Sequence, residues 1–312
     1  MKPTRSHRLI RTADSFLPAA LLVATLLGRD AIATDFFLAY MLVRLCALST
    51  CTGLRAAFAT QPSMRYAQGS TLVALLMNLA GAGIALPIFP ANHPHRLLLI
   101  ACGLLINIEH MFYEYMVAEG DGGSATLSRS ITAALVLTGL LLSCPPWKGK
   151  GNPAVFSPVY IVVTTGLSAL VGLAISLSMG GRLRPKLNGQ VLKSAPTAML
   201  QTALYPGLAL LIIAFSDLDI QTFMPLFAGL VLYELCRTPF RRTPAEALPF
   251  NRALLVVAAA CGLGILPFAL GFAFHGESRL LNDIPYALGG IILASICAFA
   301  LYGNIKKRDK YE

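Results

Sequence analysis

Residues 97–118 read LLLIACGLLINIEHMFYEYMVA. A mostly apolar run of this length suits one helical crossing of a bilayer, which takes roughly 20 residues. Yet it carries Asn107, Glu109, His110 and Glu114. At about 100° of turn per residue, Gly103, Asn107, His110 and Glu114 share one polar stripe, with Glu109 and Tyr113 on an adjacent flank. Asn107 to His110 lie near mid-membrane, and Glu114 about 10 Å further in at about 1.5 Å per residue. An ionised carboxylate there costs several kcal/mol unless it is paired or hydrated. Two in one helix therefore imply an aqueous cavity, a cationic partner or a bound proton.

The rest of the chain supports a polytopic membrane protein. It has 312 residues, 56% hydrophobic and 13% charged, with mean hydropathy +0.67, whereas soluble domains carry about a quarter charged residues. Apolar windows between charged or Pro/Gly-rich breaks predict ten spans: 13–28, 33–57, 68–89, 97–118, 125–143, 156–180, 195–215, 220–238, 250–273 and 283–304. This leaves no room for a sizeable soluble domain, and no phosphate-cradling GxxxxGK[ST] loop occurs. The seven cysteines form no CxxC pair and read as reduced core residues.

The formal charge of +10 follows topology rather than nucleic-acid binding. With the N-terminus in the cytoplasm, the inner segments hold Lys2, Arg5, Arg8 and Arg11; Arg55 and Arg65; Arg129; Arg182, Arg184, Lys186 and Lys193; Arg237, Arg241, Arg242 and Arg252; and Lys306, Lys307, Arg308 and Lys310. The outer segments hold Arg29, Arg96, Lys148, Lys150 and Arg279, and Arg44 falls within a span. This asymmetry matches the positive-inside bias, so both termini are expected in the cytoplasm and the chain in the cytoplasmic membrane. The basic N-terminus and Ala31-Ile-Ala33 mimic a signal peptide, but Arg29 and Asp30 just before that site favour retention as the first span.

The chain also shows an internal echo. Pro18, the Arg29-Asp30 turn, Arg65 and Pro87 match Pro196, the Ser216-Asp217 turn, Arg252 and Pro267 in order. Spans seven to ten then read as a shortened copy of spans one to four. An even displacement makes the repeat parallel, about an axis normal to the membrane. The expected lobes are residues 1–190, with six helices, and 191–312, with four. A proline-bearing first helix, an acidic turn and the corner Tyr115-Met-Val-Ala-Glu119-Gly120-Asp121-Gly122-Gly123-Ser124 resemble the multidrug and toxin extrusion (MATE) proteins and the wider multidrug/oligosaccharidyl-lipid/polysaccharide exporter superfamily. The resemblance implies an exporter or flippase. The chain departs from that pattern in having ten spans where two six-helix lobes are usual. Drug/metabolite transporters share the ten-span count, but their repeat is inverted.

Candidate binding residues follow from depth. Glu109 and Glu114 are expected to carry a coupling cation, with His110 assisting and Asn107 on the same stripe. Arg44, within the second span, either neutralises Glu109 or offers its fork to an anionic substrate. Thr197, Gln201 and Tyr205 make a second stripe in the seventh span. Too few histidines lie within spans for a metal centre. No cofactor beyond a proton or sodium gradient is expected, and the partners are the bilayer and a small or lipid-linked substrate. A transporter is favoured over a membrane-embedded transferase, because the loops are short and no Asp/His cluster lies at a membrane face. Cysteine labelling in intact cells should reach positions 148 and 279 from outside and positions 184 and 307 only from the cytoplasm; outside labelling at 307 would overturn the ten-span count.

Overall fold

The computed structural model describes residues 16–24, 30–48, 64–89, 93–118, 121–143 and 158–179, with isolated positions at 13, 27, 50, 51, 54, 91, 191–193 and 195–196. Its elements are helical: α1 (Phe16–Ala24), α2 (Asp30–Cys46), α3 (Met64–Ile88), α4 (Arg96–Ala118), α5 (Gly122–Ser143) and α6 (Val159–Ser178). They fall where the first six spans are expected. Spans seven to ten, and with them the copy that would complete the repeat, lie outside the described residues. Among the described residues, three helices are long and apolar enough to cross a membrane: α4 over Arg96–Val117, α5 and α6. Leu72–Ile88 of α3 is apolar but shorter.

These helices turn leucine outward and small polar residues inward, as lipid demands. On α6, Val159, Tyr160, Val163, Leu167, Leu170 and Leu177 are exposed, while Thr164, Thr165, Ser168, Gly172 and Ser176 are buried. Lipid tails solvate leucine as well as a protein core does, so helices associate through close packing of small residues. Gly139 of α5 lies directly against Thr164 and Ile161 of α6. Several buried hydroxyls are satisfied within their own helices: Thr165 donates to the Ile161 carbonyl at 2.7 Å, Ser168 to Thr164 at 2.9 Å and Ser143 to Gly139 at 2.7 Å.

Helix α4 is central, packing against α2, α3, α5 and α6. It is 67% buried over its apolar window, against 39% for α5 and for α6. Gly103 permits its approach to α2, since a Cβ there would stand 2.7 Å from the Ala39 carbonyl oxygen. Two apolar clusters flank its polar segment. One gathers Ala39, Val43, Ala85, Phe89, Leu99 and Ile100; the other gathers Leu54, Val73, Met111, Phe112, Tyr113 and Met116.

The second span, expected as one run over 33–57, is broken. Helix α2 ends at Cys46, its last turn tightened by Ala47 N–H donating to Val43 at 2.8 Å and Leu48 N–H to Leu45 at 3.0 Å. Leu48 then takes a left-handed φ of 54°, a conformation that costs a residue with a Cβ roughly 1–2 kcal/mol. Gly81 of α3 packs on the Ala47 backbone and braces the break.

Two connections are fixed by side chains. At the α3–α4 end, Pro90 has no N–H to give the Leu86 carbonyl, four residues earlier. The Arg96 guanidinium supplies one instead, Nε donating at 2.6 Å with Nη2 beside it. There His93 Nε2 also meets Asp35 of α2 at 3.1 Å. At the α4–α5 corner, Asp121 caps α5. Its Oδ1 accepts the N–H groups of Gly123 at 3.0 Å and Ser124 at 3.1 Å, and Oδ2 accepts the Ser124 hydroxyl at 2.7 Å.

The Ser124 hydroxyl, followed by the Ser124 and Gly123 N–H groups, holds the Asp121 carboxyl below its ordinary value. A lowered carboxyl contributes stability that is complete above the unfolded-state value and is lost as pH falls through the folded one. Asp121→Ala should therefore cost about 1 kcal/mol at pH 7, and the difference from the parent should shrink only below the ordinary aspartate range, as read by thermal unfolding in detergent. Gly103→Ala should destabilise by about 1–3 kcal/mol through overpacking. Gly83→Ala, where a Cβ meets nothing within 4 Å, should be neutral or stabilising, and equal losses at the two glycines would overturn the close α2–α4 approach.

Candidate functional site

The polar residues of α4 converge with one arginine of α5. Glu109 is fully buried, and Asn107, His110 and Glu114 are 5% exposed or less. Glu109 Oε2 accepts from Arg129 Nη1, and its Oε1 accepts the Ser128 hydroxyl at 3.2 Å. Arg129 Nη2 contacts His110 Nδ1, and the guanidinium carbon stands 4.5 Å from the Tyr113 ring centroid. On its other side, His110 Nε2 meets Glu114 Oε1 at 3.0 Å. Gly172 of α6 closes over Glu109, its Cβ position 3.5 Å from Glu109 Cγ.

Arg129 changes the reading of the site. Counted from sequence among the inner loop charges, it lies inside α5 and is only 3% exposed. It, and not Arg44, forms the ion pair with Glu109. The physical reason is the tight corner. In an antiparallel hairpin, residues at similar distances from the turn come roughly level, and Glu109 lies ten residues before the 119–121 corner and Arg129 eight after it. This pairing was available from sequence, had the buried cation been sought by turn symmetry instead of assigned to a loop.

Arg44 is also buried, with Nη1 on the Tyr40 hydroxyl at 3.0 Å and its guanidinium 6.0 Å from that ring. Asn107 serves the α2–α4 contact. Its Nδ2 donates to the carbonyls of Tyr40 at 3.2 Å and Gly103 at 2.7 Å. Gln201 and Tyr205 lie outside the described residues. Asn107 Oδ1, Arg129 Nε and the Thr132 hydroxyl have no hydrogen-bond partner among the described residues. These buried polar atoms around the ion pair hold capacity for water or a polar ligand group.

The chain matches no protein-family model, no curated protein and no solved structure.

The site's chemistry is thus read from its own donors and acceptors. Among the described residues no three His, Cys, Asp or Glu side chains are grouped to hold a metal ion. The carboxylates face nitrogen donors and a hydroxyl, an arrangement suited to charge pairing and proton exchange. Removing one partner of a buried ion pair strands the other at a cost of about 3–5 kcal/mol, whereas removing both is often close to neutral. Arg129→Met alone should therefore sharply lower the unfolding midpoint in detergent, and Glu109→Gln/Arg129→Met should recover most of the loss. Combining Glu109→Gln with Arg44→Met should show no such recovery; the reverse pattern would identify Arg44 as the counter-ion.

Proposed function

We propose that this protein is a secondary active membrane exporter or flippase, multi-pass in the cytoplasmic membrane with both termini in the cytoplasm. It moves a small-molecule or lipid-linked substrate outward, coupled to cation movement. The observation that carries the reading is the buried Glu109–Arg129–His110–Glu114 chain within apolar, bilayer-length helices. Intramembrane ionisable groups are costly and characteristically line ion or substrate pathways. Unpartnered polar atoms on Asn107, Arg129 and Thr132 support a polar seat beside the pair. The break of α2 after Cys46 supports it as well, because non-helical backbone at membrane depth belongs beside protein or a polar cavity.

The ten-span count, the six-plus-four lobes and the likeness to the exporter superfamily belong to this proposal. A drug/metabolite-type transporter is the second reading, since Arg44 and Arg129 could both serve a small anion. Purified protein in vesicles with an imposed proton gradient, tested against cationic, anionic and lipid-linked substrates, should move one class, and Glu114→Gln should reduce driven movement at least tenfold with folding intact. Undiminished transport in Glu109→Gln and Glu114→Gln alike would remove these carboxylates from coupling.

A further inference from the structure

We propose that the cleft at the α3–α4 end of the molecule binds the phosphate of an anionic membrane phospholipid, held by Arg96, with the acyl chains of that lipid lying against Leu97. The inference goes beyond transport and needs only that these helices cross a bilayer.

The cleft has a volume of about 540 Å³, within the roughly 300–1,000 Å³ of small-ligand sites. Its polar lining is His93, His95 and Arg96, and its apolar lining includes Leu86, Pro94 and Leu97. Arg96 is the permanent cation here. A guanidinium carries five N–H donors in a fixed fork. The Leu86 carbonyl accepts from Nε and Nη2, which fixes the plane of the group and leaves three donors. Among the described residues no carboxylate pairs with Arg96, although it is half-buried. A charge partly withdrawn from water needs an anion, and phosphate accepts the planar fork of arginine in a bidentate manner.

The turn that carries Arg96 is pinned. His93 Nδ1 accepts the His95 N–H at 3.3 Å, and the Phe89 ring meets the imidazole edge-on, with centroids 5.6 Å apart. With Nδ1 taken by a backbone donor, the proton of the neutral ring sits on Nε2 and is donated to Asp35 Oδ2 at 3.1 Å. The Asp35 carboxylate is thereby engaged by His93, and it is not part of the cleft lining. A cleft fixed in this way loses little conformational entropy when a ligand enters.

The apolar lining separates a lipid from a free anion. Leu97, beside Arg96 in sequence, is 69% exposed, and Ile88 at the end of α3 is 57% exposed. Inorganic phosphate makes no use of such side chains. A phospholipid sets its phosphate on the arginine and its acyl chains along the leucine and isoleucine. An anionic headgroup is favoured over a zwitterionic one, whose own ammonium competes with the guanidinium for the phosphate. In the orientation proposed above this is the outer end, so the lipid belongs to the outer leaflet.

The test titrates the full chain, purified in an uncharged detergent, with phosphatidylglycerol, phosphatidylcholine, dioleoylglycerol or inorganic phosphate. Native mass spectrometry counts bound lipid, and the unfolding midpoint is read in parallel. Phosphatidylglycerol should bind and raise the midpoint, phosphatidylcholine should bind several-fold more weakly, and dioleoylglycerol and millimolar inorganic phosphate should leave the midpoint unchanged. Arg96→Gln should weaken phosphatidylglycerol binding about tenfold or more through loss of charge-assisted hydrogen bonds. Because that variant also strips the Leu86 carbonyl of its donors, Leu97→Glu gives an independent reading. It sets a carboxylate on the exposed wall without touching the Arg96 bond, and it should weaken binding by a similar factor. Val159→Glu, the same kind of change at the exposed start of α6, should leave binding nearly unchanged. Stabilisation by inorganic phosphate equal to that by phosphatidylglycerol would mark a free-anion site, and equal binding of dioleoylglycerol a merely apolar groove. Equal loss in Val159→Glu would mark surface charge alone, and full binding in both cleft variants a site elsewhere. Each of these four results overturns the proposal.

Discussion

A positive and a negative charge brought together in a layer that dissolves neither is the constraint on which this protein depends. Glu109 and Arg129 sit on consecutive helices, and neither is tolerable alone in hydrocarbon. Their meeting fixes the rotation of α4 against α5: a slip of one residue would turn one partner through about 100°. The other features serve that alignment. Asp121 starts α5 at a defined residue, Gly172 admits α6 against the Glu109 stem, and Gly103 lets α2 close over the opposite side of α4.

The helices were legible in the sequence because lipid selects strongly for length and apolarity. Expected limits of 97–118, 125–143 and 156–180 meet observed limits of 96–118, 122–143 and 159–178. The polar stripe of α4 was legible as well, since helical periodicity alone brings His110 and Glu114 together. What periodicity cannot give is the partner on another helix. Arg129 was lost among loop charges because charge counting treats position along the chain as depth, whereas with α5 starting at Gly122 position 129 is already about two turns into the helix. The break after Cys46 was hidden for a different reason. The sequence around Leu48 is as apolar as a continuous span, and the packing of Gly81 against Ala47, which helps hold the strained turn, is a contact between distant parts of the chain.

The corner also shows how one motif can carry two meanings. Gly120-Asp121-Gly122 suggested kinship with exporters, yet among the described residues the hydrogen bonds of the Asp121 carboxylate serve the start of its own helix. A cap is wanted wherever a helix begins abruptly, so the motif can arise from local need. The charge cluster of Glu109, His110, Glu114 and Arg129 differs in that its placement serves no helix end.

The end of α2 at Cys46 has an electrostatic consequence of its own. The peptide dipoles of a helix sum to about half a negative charge at its C-terminus, and that terminus lies about 24 Å along the axis from Asp30, at about 1.5 Å per residue. Arg44 occupies its last turn. Part of the guanidinium's charge is thus met by carbonyl groups that a continuous helix would have consumed in hydrogen bonds.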